Sequence, residues 1–108
     1  MKKVKSLQEN IFDYVKSLSV KTFELHRKHI IAHFDELYGT NNSSTLSSIR
    51  SATDTVLRYL QNAKFIMRKN DYLYIEKGKV IVLRGYYHFL KEIPSNFTWN
   101  MLYASNRK

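Results

Sequence analysis

The segment 43–66, SSTLSSIRSATDTVLRYLQNAKFI, constrains the fold more than any other part of this chain. At about 100° per residue, Leu46, Ile49, Thr53, Val56, Leu57 and Leu60 fall within one arc, the apolar stripe of a helix that faces a core. Ser44, Ser47, Ser51, Asp54, Thr55 and Arg58 lie opposite, with Ser48 close by. Ser43 or Ser44 can cap this helix by accepting a bond from a free backbone N–H of its first turn, and Asn41-Asn42 before it is turn material.

The outer face carries short hydroxyls and arginine where an exposed helix ordinarily carries Glu/Lys pairs. Short polar side chains let a helix approach a DNA groove closely, a helix N-terminus favours phosphate, and arginine can donate a bidentate pair to guanine. Simple solvation also produces a Ser/Thr-rich face, so the rest of the chain has to decide between the two.

With 108 residues, 44% of them hydrophobic, the chain fits one globular domain with a single core. It has no cysteine, which excludes disulfides and Cys-ligated zinc. No apolar run approaches the roughly 20 residues of a membrane span. The Met1-Lys2-Lys3 start leads into Lys5, Gln8, Glu9 and Asn10 where a signal peptide would be apolar, so a soluble cytoplasmic or nucleoid-associated protein is expected. Eighteen Lys and Arg against nine Asp and Glu give a net charge of +9, which favours a polyanion partner without setting any specificity.

In chain order, Ser6-Leu7-Gln8-Glu9 has the form of a capping box, and Leu7, Ile11, Tyr14, Val15 and Leu18 follow at helical spacing to about Ser19. Residues 20–25 alternate well enough for a short strand. A second helix over 26–38 places Ile30, Ile31, Phe34, Leu37 and Tyr38 on its buried side and stops at Gly39. After the long helix, 65–68 reads as extended, Asn70-Asp71 as a turn, and 72–75 as a strand. Residues 76–79 then form a hairpin loop that returns through 80–83. A helix over 79–93 competes, because Val80, Leu83, Tyr87 and Leu90 also make a helical stripe with Gly85 as its weak point; the branched residues favour strand. A short helix is expected over 86–93, ended by Pro94, and Ser95 can cap one more. The aromatic tail around Phe97, Trp99 and Tyr103 must be buried against the domain or a second subunit.

This order of helix, short strand, helix, turn, helix and hairpin resembles the winged-helix family of DNA-binding domains. The most specific piece is VLRYLQNAKFI at 56–66, which looks like the family's passage from recognition helix to wing: a Leu-rich turn, then Gly, an apolar residue and Ile. Lys64 stands where that Gly is usual, so either the helix ends differently or Asn62 supplies the turn. The resemblance implies an α+β winged helix-turn-helix, with a three-helix core, a small antiparallel β-hairpin wing and a C-terminal helix. Residues 1–94 would form the domain, and 95–108 a tail that is helical and dimer-forming.

The resemblance also implies that the recognition helix lies in the major groove and the wing touches the backbone. Ser44, Ser47, Ser48, Ser51, Thr55 and Arg58 then belong to the DNA-facing helix, with Thr45, Arg50, Lys77 and Lys79 for phosphate. Successive turns of a three-stranded meander sit at opposite ends, so one basic turn faces the DNA. The turn at Lys77 and Lys79 is favoured, and the one at Arg68 and Lys69 is the alternative wing. Asp54 can accept from a cytosine amine, though an i,i+4 pair with Arg58 is the expected role.

Other chemistry is sparse. His26, His29 and His33 share one side of the second helix, but Arg27 and Lys28 add repelling charge, so a solvated or phosphate-facing cluster is expected and no metal. There is no phosphate loop or nucleophile motif, hence no enzyme and no cofactor is expected. Tyr72, Tyr74 and Tyr86 could stack on unpaired bases, although alternating strand tyrosines are more often structural. The expected function is duplex-DNA binding by a homodimeric transcriptional regulator, or a phage or plasmid replication or partition factor. The alternative is a winged-helix adaptor that binds polymerase or another acidic protein.

Overall fold

The computed structural model of the protein describes residues 6–39, 43–76 and 79–107, with 43–44, 70–76 and 79–84 described in backbone only. At its centre lies helix α3 (Ser43–Asn62), which buries Ile49, Ala52, Thr53, Val56, Leu57 and Leu60 and half-buries Leu46. The apolar stripe is therefore where its 3.6-residue period puts it. Ser43 and Ser44 both lie inside this helix, and Asn42, which stands before it, is outside the described residues.

Three helices and a sheet cover that stripe. Helix α1 (Leu7–Leu18) starts at Ser6, whose Oγ accepts from the backbone N–H of Glu9 at 3.1 Å, and it contributes Ile11, Phe12 and Val15 to the core. Buried Ser19 ends α1: its hydroxyl donates to the Lys16 carbonyl at 2.7 Å and accepts from the Ile93 N–H at 3.0 Å. Strand β1 is only Glu24–Leu25, shorter than the expected 20–25, because residues 20–21 complete a turn off α1. Helix α2 (Arg27–Tyr38) buries Ile30 and Phe34 and stops at Gly39, which takes the left-handed conformation at φ 58°. Leu37 and Tyr38 are not buried as expected; they are 62% and 46% exposed, since the last turn of α2 runs past the core.

The chain leaves α3 through a tight reversal. The N–H of Phe65 bonds to the Leu60 carbonyl at 3.0 Å and that of Lys64 to Gln61 at 3.1 Å, the paired bonds of a Schellman motif. Lys64 itself takes the left-handed conformation, at φ 67°. Neither expected escape is used: the helix ends as it would with glycine, and burial of Phe65 and Ile66 holds lysine in the strained conformation.

Strands β2 (Ile66–Glu76) and β3 (Lys79–Phe89) form one antiparallel hairpin of 11-residue strands, and β1 pairs with β3, giving the order β1-β3-β2. This corrects three expectations. Asn70-Asp71 is no turn but part of β2: Asn70 pairs with Gly85 and Tyr72 with Arg84, so Asp71 is the extra residue of a bulge. Arg68 and Lys69 therefore lie in a strand and form no second basic turn. Residues 86–89 are strand and not the start of a helix, because β3 is the central strand and bonds β2 on one side and β1 on the other. The competing helix over 79–93 fails for the same reason.

After Pro94 the chain enters α4 (Trp99–Ser105), capped by Thr98 and not by Ser95: Thr98 Oγ1 accepts from the Met101 N–H at 3.2 Å. Trp99 and Leu102 join the same buried cluster as α1 and α3, while Phe12 packs against both Phe97 and Trp99. The aromatic tail thus finds much of its cover within its own chain. The protein is α+β, with four helices and a small three-stranded antiparallel sheet among the described residues, an arrangement compatible with a winged helix.

Two substitutions test this packing. Lys64→Gly relieves the left-handed strain and is expected to raise unfolding free energy in urea by about 1 kcal/mol. Thr53 is fully buried and its hydroxyl has no hydrogen-bond partner among the described residues, so Thr53→Val is expected to stabilise by about 1 kcal/mol in the same assay.

Candidate nucleic-acid interface

The face of α3 turned away from the core is polar from Thr45 to Arg58. Thr45, Ser47, Ser48, Arg50, Ser51, Asp54 and Arg58 are exposed and Thr55 is half-buried, as their wheel positions require. Thr55 donates its hydroxyl to the Ser51 carbonyl at 3.1 Å, turning its proton back onto the helix. Ser47, Ser48, Ser51 and Ala52 form one wall of an open groove of about 540 Å³, and Ser6, Leu7 and Gln8 of α1 form the other. Ser44 and Lys79 are described in backbone only, and Lys77 lies outside the described residues.

Asp54 does not serve Arg58. It binds the guanidinium of Arg27 in the first turn of α2, through Nε at 2.6 Å to Oδ1 and Nη2 at 3.1 Å to Oδ2. A bidentate fork across two helices has better geometry than a single-helix i,i+4 contact, which explains the choice of partner. The hydrogen bond to Asp54 pushes the Arg27 pKa up, against a smaller lowering by burial, and the charges of Asp54 and Tyr87 add to the rise. A raised folded pKa means the contribution of Arg27 is fully present below the ordinary guanidinium pKa and is lost only as pH rises through the higher folded value. The pair is therefore no switch through Arg27 at ordinary pH.

Arg58 is left to lie over the ring of Tyr59, its Cζ 5.6 Å from the centroid. Among the described residues neither Arg50 nor Arg58 forms an ion pair.

The hairpin leaves α3 almost at once, with β2 starting at Ile66. Arg68 sits opposite Tyr87 on adjacent strands. Gly85 explains itself here: a Cβ would stand 2.7 Å from Nη2 of Arg68, so the missing side chain is the seat of that guanidinium. The likeness of residues 79–93 to a helix hid this role.

His26, which precedes α2, and His29 and His33 within it are divided. His26 bonds Glu24 at 3.0 Å and stacks on Tyr86, with ring planes 12° apart. His33 stacks on Tyr14 of α1 at 4.0 Å between centroids. His29 lies beside His26, and no group of three or more His, Asp or Glu side chains among the described residues could hold a metal ion. Nor is any described helix long and apolar enough to cross a membrane.

Sequence reasoning missed an apolar groove of about 260 Å³ at the base of the sheet, where Val20, Phe23 and Leu90 are exposed, Phe23 to 82%. Its one signal was the pair of apolar residues, Val20 and Phe23, in a strand that proved too short to bury them.

Both members of the Arg27–Asp54 pair are substantially exposed, so a double-mutant cycle with Arg27→Ala and Asp54→Ala, read by urea unfolding, is expected to give a coupling of about 0.5 kcal/mol. In comparison with known proteins, the chain matches no family model, no curated protein and no solved structure.

Proposed function

We propose that this protein binds duplex DNA through the outer face of α3, in a winged-helix arrangement with the β2–β3 hairpin as the wing. Charge on that face is the supporting observation: the one carboxylate of α3, Asp54, is taken by Arg27, so among the described residues Arg50 and Arg58 have no acidic partner. Ser47, Ser51 and Arg58 approach base edges, and Thr45 and Arg50 hold phosphate. Lys77 and Lys79 carry the wing contact, with Arg68 nearer the root of the hairpin. A homodimer presenting two such helices one DNA turn apart would suit a small transcriptional regulator, or a replication or partition factor of phage or plasmid type.

The exposed groove at Val20, Phe23 and Leu90 supports a second reading, in which the same fold serves as an adaptor for a protein partner.

Fluorescence anisotropy on a random-sequence duplex across a salt series separates the two. Affinity is expected to fall steeply with salt, Lys77→Ala/Lys79→Ala to flatten the log–log slope by about 2, and Arg58→Ala to cost roughly 1–3 kcal/mol. Binding absent at low salt, or indifferent to these changes, would put the adaptor first. Asp54→Asn frees Arg27 and removes a negative charge, so tighter binding is expected; a base contact from Asp54 would instead make it weaker.

A further inference from the structure

The seam between the second half of α3 and α4 is built from three rings. Tyr59 lies nearly parallel to Trp99, with 5.7 Å between centroids and 12° between planes. Tyr103 closes the group at 6.1 Å from Tyr59 and 6.2 Å from Trp99. Trp99 is buried, Tyr59 half-buried and Tyr103 exposed, so the rings lead from the core out to solvent.

Two guanidinium groups stand against this group. Arg58 lies over Tyr59 and Arg107 over Tyr103, each with its Cζ 5.6 Å from the ring centroid. Two amides fix the seam beside them. Asn62 Nδ2 donates to Asn106 Oδ1 at 3.0 Å, and Asn106 Nδ2 donates to the carbonyls of Leu102 at 3.0 Å and Tyr59 at 3.3 Å. The residue before Arg107 is thus fastened to the residue whose ring lies under Arg58.

Neither arginine has a carboxylate partner among the described residues, in contrast to Arg27. Residues 58–66 and 99–107 contain no Asp or Glu at all. A guanidinium laid on a ring is held in place while its N–H edges stay free, so a phosphate binding it orders less side chain than a free lysine would require.

We infer that Arg107 holds a backbone phosphate of duplex DNA beside the groove contact of Arg58, the two arginines together clamping the duplex, which makes α4 a second element of the nucleic-acid surface. This rests on the DNA-binding reading of α3 and adds to it a contact from the end of α4.

The test is the anisotropy salt series on a random-sequence duplex and on a single strand of equal length, with wild type, Arg107→Ala, Arg107→Lys and Tyr103→Leu, each checked for folding by thermal melt. Arg107→Ala is expected to weaken binding several-fold on any sequence and to flatten the log–log salt slope by about 0.9, and Arg107→Lys to restore the slope. Tyr103→Leu is expected to keep the slope and lose a few-fold in affinity; should it melt early, the two Arg107 variants decide alone. If wild type binds with steep salt dependence and Arg107→Ala coincides with it, the clamp is overturned while the reading of α3 stands. If wild type does not bind at low salt, both fall. Tighter binding of the single strand, lost with Tyr103→Leu, would assign the rings to base stacking and overturn the clamp as well.

Discussion

Burial of one stripe on α3 is the constraint on which the other elements depend. Ile49, Val56, Leu57 and Leu60 meet Ile11, Phe12 and Val15 of α1, Ile30 and Phe34 of α2, Leu25, Ile66 and Phe89 of the sheet, and Trp99 and Leu102 of α4 in one cluster. Each such side chain removed from water is worth about 1.5–3 kcal/mol, and their sum must exceed the conformational entropy of ordering the chain. A 20-residue helix can anchor so many partners because its apolar arc stays on one side for its whole length. The same geometry leaves the opposite side uncovered, and there the hydroxyls and arginines collect.

The left-handed Lys64 then fixes the direction of the hairpin relative to α3. Phe65 and Ile66, immediately after the reversal, are both buried, and the backbone N–H of Leu90 bonds to the Phe65 carbonyl at 2.8 Å. Phe89 bonds in turn to the carbonyl of Phe23 at 2.9 Å, so the root of the hairpin is held from both sides. Two bulges, at Asp71 in β2 and at Ile81 in β3, insert one residue in each strand and leave the overall register unshifted beyond them. The hairpin runs roughly 30 Å from its root to the Glu76–Lys79 pair, at about 3.3 Å per residue.

Charge is distributed as unevenly as apolar surface. Arg27 and Asp54 neutralise each other between α2 and α3, whereas Arg58 and Arg107 rest on tyrosine rings with no carboxylate partner among the described residues. An excess of nine positive charges says little by itself; what matters for a polyanion is that some of these charges are held by rings, which leave the field open, and not by acids, which close it. The apolar groove at Phe23 lies at the root of the hairpin, so a protein partner there would stay clear of the hairpin's far end.

By itself the sequence determined what depends on local periodicity and local chemistry: the Ser6 cap, the stop at Gly39, the inward and outward faces of α3, and the strand character of 80–83. Such features are decided within one or two turns of chain, where spacing and the hydrogen-bonding reach of a side chain suffice. Only the tertiary structure decided what depends on a partner distant in the chain. Asp54 chose Arg27 over Arg58 because α2 brought a guanidinium to it in better geometry. Residues 86–89 became strand because β1 and β2 both pair with them, overriding a helical stripe that is equally visible in the sequence. Trp99 found its cover on Tyr59 and Phe12, and Lys64 accepted a conformation ordinarily left to glycine, because packing on either side outweighed the local cost.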